Sequence, residues 1–123
     1  MPGKITTRES GHQAEQIALS VLQDHHFLIL RQNYQCRFGE IDIIAKREQL
    51  IIFVEVRYRK SPAFGNAIES VTSKKQHKIT ITAEHFIQYQ LDNDQQFDYR
   101  FDVIALSSLD ITQAKPEWIK GAW

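Results

Sequence analysis

The sequence predicts a mixed α/β fold in which helices pack on a β-sheet. Two segments carry apolar residues at helical spacing, and four shorter segments are rich in β-branched and aromatic residues. Their order is helix, three strands, helix, strand, which is typical of helices packed on a sheet. A length of 123 residues suits one domain, residues 1–123, with one core.

The first helix is expected to follow a loose tail at residues 1–7. Thr7 or Ser10 provides a hydroxyl that can cap its first turn, and the helix should run to about His25. Its apolar stripe consists of Ala14, Ile17, Ala18, Val21 and Leu22.

Three strands are expected next, over residues 27–34, 40–45 and 50–59. Glu48 and Gln49 form the expected two-residue turn between the second and third strands.

The second half begins with an expected loop over residues 60–72. Ser73 and Gln76 have the spacing of a capping box, which predicts a helix that begins there. Its buried face should contain Ile79, Ala83, Phe86 and Ile87. Residues 99–106 form the fourth strand. Residues 107–123 are a C-terminal extension, whose two tryptophans suggest that it packs on something.

Composition excludes several classes of protein. The chain has 15 Lys and Arg residues together and 15 Asp and Glu residues together, so its formal net charge is zero. This argues against a protein that coats nucleic acid by bulk positive charge. The single cysteine, Cys36, cannot form an internal disulfide or a cysteine zinc site, and it fits a reducing compartment. No signal peptide or membrane-spanning run is recognisable, so we expect a cytoplasmic protein with no membrane partner. The five scattered glycines form no phosphate-binding loop, which excludes ATPases and dinucleotide-binding enzymes.

Two acidic residues lie inside apolar strands. Asp42 is flanked by two isoleucines and Glu55 by two valines. Charged groups are rarely buried unless they are paired or bind a cation. Alternation along a strand places Glu40, Asp42 and Ile44 on one face.

The expected hairpin register brings these acidic residues together. A two-residue turn at Glu48 places Asp42 opposite Glu55, and Glu40 opposite Arg57. Two facing carboxylates stay ionised only with a cation between them, and Mg²⁺ or Mn²⁺ suits oxygen ligands. A three-residue loop would instead place the two acids on opposite faces of the sheet. The other alternative is that each acid forms an ordinary ion pair with an arginine, which for Glu55 would be Arg57 or Arg100.

Several motifs resemble those of the bacterial YraN-type family, and the similarity runs over residues 8–123. The motifs are the Gly-Glu-Ile-Asp-Ile-Ile-Ala of residues 39–45, the Phe-Val-Glu-Val-Arg-Tyr-Arg of residues 53–59, the Arg-Phe-Asp-Val-Ile of residues 100–104, Gly11 with Ala14, Glu15 and Ala18, and Val71 with Lys75 and Gln76. That family resembles Holliday-junction resolvases and other restriction-endonuclease-like nucleases. The resemblance implies a restriction-endonuclease-like α/β fold, with a mixed central β-sheet flanked by helices and an acidic metal site at one edge of the sheet.

The resemblance also implies roles for individual residues. Asp42 and Glu55 match the two metal-ligating acids of that nuclease pattern, and Glu15 matches a helix glutamate that completes the site. Gln76 falls where a polar helix residue approaches the metal. Arg57 stands where the superfamily has lysine, and it can clamp a phosphate but is a poor general base because it stays charged.

Basic residues surround the acidic pair in the sequence. Arg57, Arg59 and Lys60 accompany Tyr58, and Lys74, Lys75 and Lys78 begin the second helix. They are either a solvated charged face or a rim that contacts phosphates, with the helix amides near Gln76 contributing. Glu40, Arg100 and Asp102 are supporting candidates, and Arg100 with Asp102 is favoured as a structural ion pair.

Three functions follow from these observations. The leading hypothesis is a Mg²⁺- or Mn²⁺-dependent endonuclease on DNA, branched or single-stranded, in which Asp42, Glu55 and Arg57 are catalytic. The second is a non-catalytic nucleic-acid-binding or adaptor module of the same fold. The third is a protein-interaction module that uses the tail between Trp118 and Trp123. Related nucleases often dimerise, so a homodimer is a further expectation, although no sequence feature marks its surface.

Overall fold

A computed structural model describes residues 7–59, 67–92, 95–113 and 115–123 of the chain. The elements are α1 (Thr7–Asp24), β1 (Leu28–Cys36), β2 (Gly39–Arg47), β3 (Leu50–Tyr58), α2 (Ala67–Ser70), α3 (Ser73–Gln90), β4 (Asp98–Leu106) and β5 (Glu117–Ile119). The predicted fold class is confirmed, since a mixed five-stranded sheet carries helices in an arrangement consistent with a restriction-endonuclease-like fold.

The strands lie in the sheet in chain order, β1-β2-β3-β4-β5. β1, β2 and β3 pair antiparallel, β3 and β4 pair parallel, and β5 returns antiparallel to β4. The parallel pair requires a crossover connection, and α2 and α3 supply it.

The two faces of the sheet carry two apolar clusters. One lies beneath α1, whose residues Ala14, Ala18 and Leu22 are buried as the predicted stripe requires. The other lies beneath α3, where Ile79, Ala83 and Phe86 are buried. Both faces of β2 and β3 are therefore covered, which explains why their sequences are almost continuously apolar.

The predicted register of the β2–β3 hairpin is confirmed from the turn to Ile43↔Val54, whereas the expected pairs of Asp42 with Glu55 and of Glu40 with Arg57 lie beyond the last paired residues. The pairs run from Arg47↔Leu50 at the turn to Ile43↔Val54, so Glu48 and Gln49 form the two-residue turn. This register directs Asp42 and Glu55 to the same end of the sheet.

The connection before α3 differs from the expected loop. Within residues 60–72, Ala67–Ser70 forms the short helix α2, and residues 60–66 lie outside the described residues. The cap of α3 is Thr72 rather than Ser73, because the Lys75 N–H donates to Thr72 Oγ1 at 3.3 Å. Gln76 Nε2 donates to the carbonyl of Val71 at 3.0 Å, so the predicted capping box does not form.

The ends of the chain also differ from expectation. Residues 1–6 of the predicted tail lie outside the described part, and Thr7 is already the first residue of α1. The C-terminal extension contains β5, and its tryptophans pack on the chain's own sheet. Trp118 packs against the cluster beneath α1, and Trp123 stacks on Phe101 with 5.1 Å between ring centroids.

Asp102 fastens this extension to β4. It is fully buried and accepts hydrogen bonds from Arg100 Nε and Nη2, both at 2.8 Å, from Trp118 Nε1 at 2.9 Å and from the Gly121 N–H at 3.0 Å. Arg100 and Asp102 therefore form the structural ion pair that the sequence favoured. Across the described ranges, none of the helices is both long and apolar enough to cross a membrane.

Candidate functional site

The candidate site lies where β2 and β3 separate. Their ladder ends at Ile43↔Val54, and beyond it the Val56 N–H donates to Asp42 Oδ2 at 2.8 Å. A side-chain carboxylate thus takes the N–H that a continued ladder would have paired with backbone. The two strands open at this point, and the opening contains both acidic residues.

Side-chain alternation breaks at Asp42. Ile43 packs beneath α1, whereas Ile41, two residues away, packs beneath α3. On the neighbouring strand Asn33 has a φ of 52°, a left-handed conformation that asparagine tolerates well. The expectation that Asp42 and Ile44 share a face is wrong, because this irregularity turns Asp42 towards α1 while Ile44 stays beneath α3.

Asp42 lines a cleft of about 290 Å³ between α1 and the end of β3. The α1 side of the cleft consists of Ser10, Gly11, Ala14 and Glu15, and the strand side consists of Asp42, Val56, Arg57, Tyr58 and Arg59. The cleft is therefore bounded by both carboxylate and guanidinium groups.

Glu55 is buried behind this cleft with only 6% of its surface exposed. Its Oε2 lies 3.5 Å from Arg57 Nη2, a long contact. Its Oε1 and the Nε of Arg57 are buried without a hydrogen-bond partner among the described residues. The ordinary ion pair of Glu55 with Arg57 is thus present but leaves one oxygen unsatisfied, which carries a substantial desolvation penalty.

Burial disfavours the charged forms of both acids, and neighbouring carboxylates add to this effect. Burial raises the pKa of Glu55 to about 8, and the neighbouring Asp42 carboxylate raises it further, against the opposite effect of Arg57. Burial also raises the pKa of Asp42 to about 6, while the Val56 N–H lowers it and Glu15 raises it. Two such carboxylates side by side are what a bound cation would stabilise in the ionised form.

Glu15 lies on the opposite wall of the cleft. Asn33 Nδ2 donates to Glu15 Oε2 at 3.3 Å, so the residue at the strand irregularity also holds this carboxylate. Within the described residues, no group of three His, Cys, Asp or Glu side chains is placed to hold a metal ion together. The chain therefore brings Asp42 and Glu55 together, with Glu15 close enough to affect Asp42.

The predicted basic residues divide into two sets. Arg57 and Arg59 line the cleft. Lys74, Lys75 and Gln76 begin α3 and do not line it, and Lys75 Nζ donates to the Ser70 carbonyl at 3.4 Å. Lys60 lies outside the described residues.

The supporting candidates lie around the site rather than in the cleft. Glu40 is exposed, accepts a hydrogen bond from Gln35 Nε2 at 3.3 Å, and raises the pKa values of Asp42 and Glu55. Arg100 and Asp102 hold the C-terminal extension and do not line the cleft.

Sequence reasoning missed Asn33 and the place of Gly11 in the cleft wall. A polar asparagine inside a strand is a signal that could have pointed to Asn33, because asparagine tolerates the left-handed conformation found there. Gly11 lies inside a helix, where glycine is energetically unfavourable, and a glycine at such a position is itself a signal of a functional role.

Comparison with known proteins places the chain in a protein family. The sequence model of the uncharacterised protein family UPF0102 matches residues 14–106. A UPF0102 protein of Caldicellulosiruptor bescii is 48% identical over 102 residues, covering 83% of this chain and 85% of that protein. One from Saccharophagus degradans is 44% identical over 117 residues, covering 94% and 92%. One from Legionella pneumophila is 40% identical over 118 residues, covering 95% and 96%.

Proposed function

The chain belongs to the uncharacterised protein family UPF0102, and we propose that it is a metal-dependent endonuclease that hydrolyses phosphodiester bonds in DNA. Branched and single-stranded DNA are the substrates of first interest. We also propose that it acts in the cytoplasm, because its lone cysteine suits a reducing compartment.

One observation carries the proposal. Glu55 Oε1 is buried and unpaired beside Asp42, and burial together with repulsion raises both pKa values. The donor set is made of carboxylate oxygens, which hard divalent cations prefer. Mg²⁺ takes only one or two protein carboxylates and completes its shell with water and phosphate oxygens, so Asp42 and Glu55 are sufficient.

When bound, Mg²⁺ or Mn²⁺ would polarise the phosphoryl group and lower the pKa of a coordinated water. Asp42 and Glu55 would hold the ion, and the Val56 N–H fixes the orientation of Asp42. Glu15 is a further carboxylate in the cleft, and it is placed to accept a proton from water on the α1 side.

Arg57 would hold the scissile phosphate. It lines the cleft next to the acidic pair, and its Nε has no partner among the described residues. A guanidinium binds phosphate oxygens through two parallel donors and stays charged at any physiological pH. Its role is therefore to stabilise negative charge and not to activate water. Arg59 extends the positive rim along the same wall.

The test is a cleavage assay in Mn²⁺ on single-stranded, duplex and four-way-junction DNA. An Asp42→Asn variant, purified identically, serves as the matched control because the amide oxygen can still accept the Val56 N–H. We expect the native protein alone to cleave. Equal cleavage by both proteins would point to a contaminant and contradict the proposal.

The second candidate function is a nucleic-acid-binding module without turnover. It is favoured by Arg57 at the position where related nucleases have lysine. It predicts salt-sensitive DNA binding that survives Asp42→Asn, with no cleavage of any substrate. The C-terminal extension gives no comparable support to a protein-interaction function, because Trp118 and Trp123 are engaged with the chain's own sheet.

A further inference from the structure

A second concave surface, the aromatic groove, lies on the α3 side of the sheet. It measures about 390 Å³ and is lined by Arg37, Phe38, Ile81, Glu84, His85, Gln88 and Tyr89. The first two belong to the turn between β1 and β2, and the others belong to one side of α3. The proposed reaction uses none of these residues.

The rings of this groove form a continuous series. His85 lies between its neighbours, with 6.2 Å between its centroid and that of Phe38 and 4.7 Å to that of Tyr89. The Tyr34 hydroxyl lies 2.6 Å from His85 Nδ1 and fixes the imidazole. The guanidinium of Arg37 lies over one face of the Phe38 ring, with its Cζ 4.7 Å from the ring centroid.

These rings are too exposed to be explained as core. Phe38 is 38% exposed and Tyr89 is 64% exposed. Aromatic side chains normally bury most of their surface, and clustered exposed rings indicate a binding surface. The polar groups around them suit a partner that is flat, aromatic and rich in hydrogen-bond donors and acceptors.

The groove lies at the same end of the sheet as the acidic pair. Phe38 precedes Asp42 by four residues, a path of roughly 13 Å at the rise of an extended strand. A Cβ at Gly39 would lie 3.1 Å from Thr82 Oγ1, so the start of β2 runs closely beside α3. The acidic pair is thus flanked by the cleft towards α1 and by the aromatic groove towards α3.

We propose that the aromatic groove stacks one or two unpaired bases of the DNA strand whose phosphodiester is cut at Asp42 and Glu55. This inference rests on the proposed function and specifies its substrate class, namely DNA with a single-stranded segment beside the scissile bond. Stacking on aromatic rings is the usual way in which proteins bind unpaired bases without reading their sequence.

The charges of the groove favour bases over phosphates as its occupant. Glu84 lines it and would repel a phosphate, but its carboxylate can accept a hydrogen bond from a base amino group. Gln88 offers both a donor and an acceptor. Arg37 can stack on a base or bind the flanking phosphate.

The experiment compares two tailed duplexes in EDTA, where no cleavage occurs. One carries a thymidine tail and the other an abasic tail of equal length and charge, and binding is followed by fluorescence anisotropy. We expect the native protein to bind the thymidine tail roughly 5- to 100-fold more tightly. Phe38→Ala and Tyr89→Ala should each remove most of this preference and leave the affinity for the abasic tail unchanged.

Tyr99→Ala is the matched control. Tyr99 is 41% exposed but lies beside Ile51, near the end of the sheet remote from Val56. It should retain the full preference for the thymidine tail.

Three results would overturn the inference: equal affinity of the native protein for both tails, an unchanged preference in Phe38→Ala and Tyr89→Ala, or an equal loss of affinity for both tails in these variants. Each leaves the endonuclease proposal standing. Failure to bind either tail, together with no cleavage of any DNA, would overturn both.

Discussion

Glu55 and Asp42 illustrate how a functional site can reduce the stability of the fold that carries it. Glu55 is buried and Asp42 is half-buried, and Glu55 keeps one oxygen without a partner in the described residues. A core residue of similar shape without charge would avoid this penalty. Protonation of Glu55, or a cation held by both carboxylates, would lower this penalty.

The metal-free protein is expected to lose stability as the pH rises. The folded-state pKa values of about 6 for Asp42 and about 8 for Glu55 lie above the ordinary values of 3.8 and 4.5. The folded state therefore binds more protons than the unfolded state between about pH 4 and pH 8, and the free energy of unfolding falls across that window. We expect a decrease on the order of a few kcal/mol between pH 5 and pH 9.

Urea denaturation in EDTA at several pH values measures this decrease. Glu55→Gln should remove the larger part of the pH dependence, because Gln carries no charge at any pH. Glu117→Gln, an exposed position on β5, is the control and should leave it unchanged. A free energy of unfolding that rises with pH over this window would contradict the account.

Metal binding should release protons at neutral pH. Glu55, with a pKa of about 8, is mostly protonated at pH 7, and a carboxylate must be ionised to bind a cation. We expect roughly one proton released for each Mn²⁺ bound at pH 7, and fewer at pH 9.

Calorimetric titration of Mn²⁺ in two buffers of different ionisation enthalpy gives this number. Asp42→Asn should abolish the binding heat. Asp110→Asn should not change it, because Asp110 is exposed and its carboxylate accepts hydrogen bonds from the nearby Thr112. Binding without proton release would show that Glu55 does not hold the ion.

At the level of single elements, the β2–β3 hairpin was the most predictable part of the site. The two turn residues between β2 and β3 fix the register of the hairpin, and this register places Asp42 and Glu55 at the same end of the sheet. A strand pattern cannot predict that alternation breaks at Asp42, which lies beside the left-handed Asn33 of the neighbouring strand. A period of two describes regular strands, and the site is where regularity ends.

Helix α3 shows a similar limit. The capping-box spacing at Ser73 was a sound indication of a helix start, but Thr72 supplies the cap because two adjacent hydroxyl residues offer equivalent caps. Competition between neighbouring capping residues of this kind decides at which residue a helix begins. The short helix α2 has only four residues, too few for apolar periodicity to predict it.

Helix α1 carries Gly11 in the wall of the cleft. A Cβ at this position would meet nothing within 4 Å, so Gly11→Ala should raise the free energy of unfolding by about 0.5–1 kcal/mol through helix propensity. The same methyl group would project from the wall of the cleft that is proposed to bind DNA, so we expect slower cleavage of DNA. Urea denaturation and the rate of cleavage in Mn²⁺ are the two measurements.

Gln16→Ala is the control for this variant, because Gln16 is exposed on the same helix and does not line the cleft. It should leave the cleavage rate unchanged. A more stable Gly11→Ala protein that cleaves at the native rate would show that DNA does not approach α1 at this point.

For the whole molecule, the α/β class could be predicted from periodicity alone, whereas the path of the last residues could not. Segments 99–106 and 79–87 have clear periods, but residues 107–123 have none. Their position depends on the buried carboxylate of Asp102, which accepts two of its four hydrogen bonds from Trp118 and Gly121 in this segment, and on the pairing of β5 with β4. Such long-range polar contacts leave no periodic signal in a sequence.

Asp102 holds the fold together, whereas Asp42 belongs to the candidate site, and measurements of the free energy of unfolding can distinguish these roles. Asp102→Asn keeps the volume but replaces acceptor oxygens with an amide that faces Arg100 or Trp118. Because a buried ionic network is broken, we expect a loss of about 3–5 kcal/mol in the free energy of unfolding. Asp42→Asn should instead stabilise the metal-free protein at pH 8, since it removes a repelled charge. Urea denaturation followed by the fluorescence of the two tryptophans measures both. If Asp42→Asn destabilised the protein as much as Asp102→Asn, Asp42 would be part of the framework of the fold, and its proposed role in binding a metal ion would lose support.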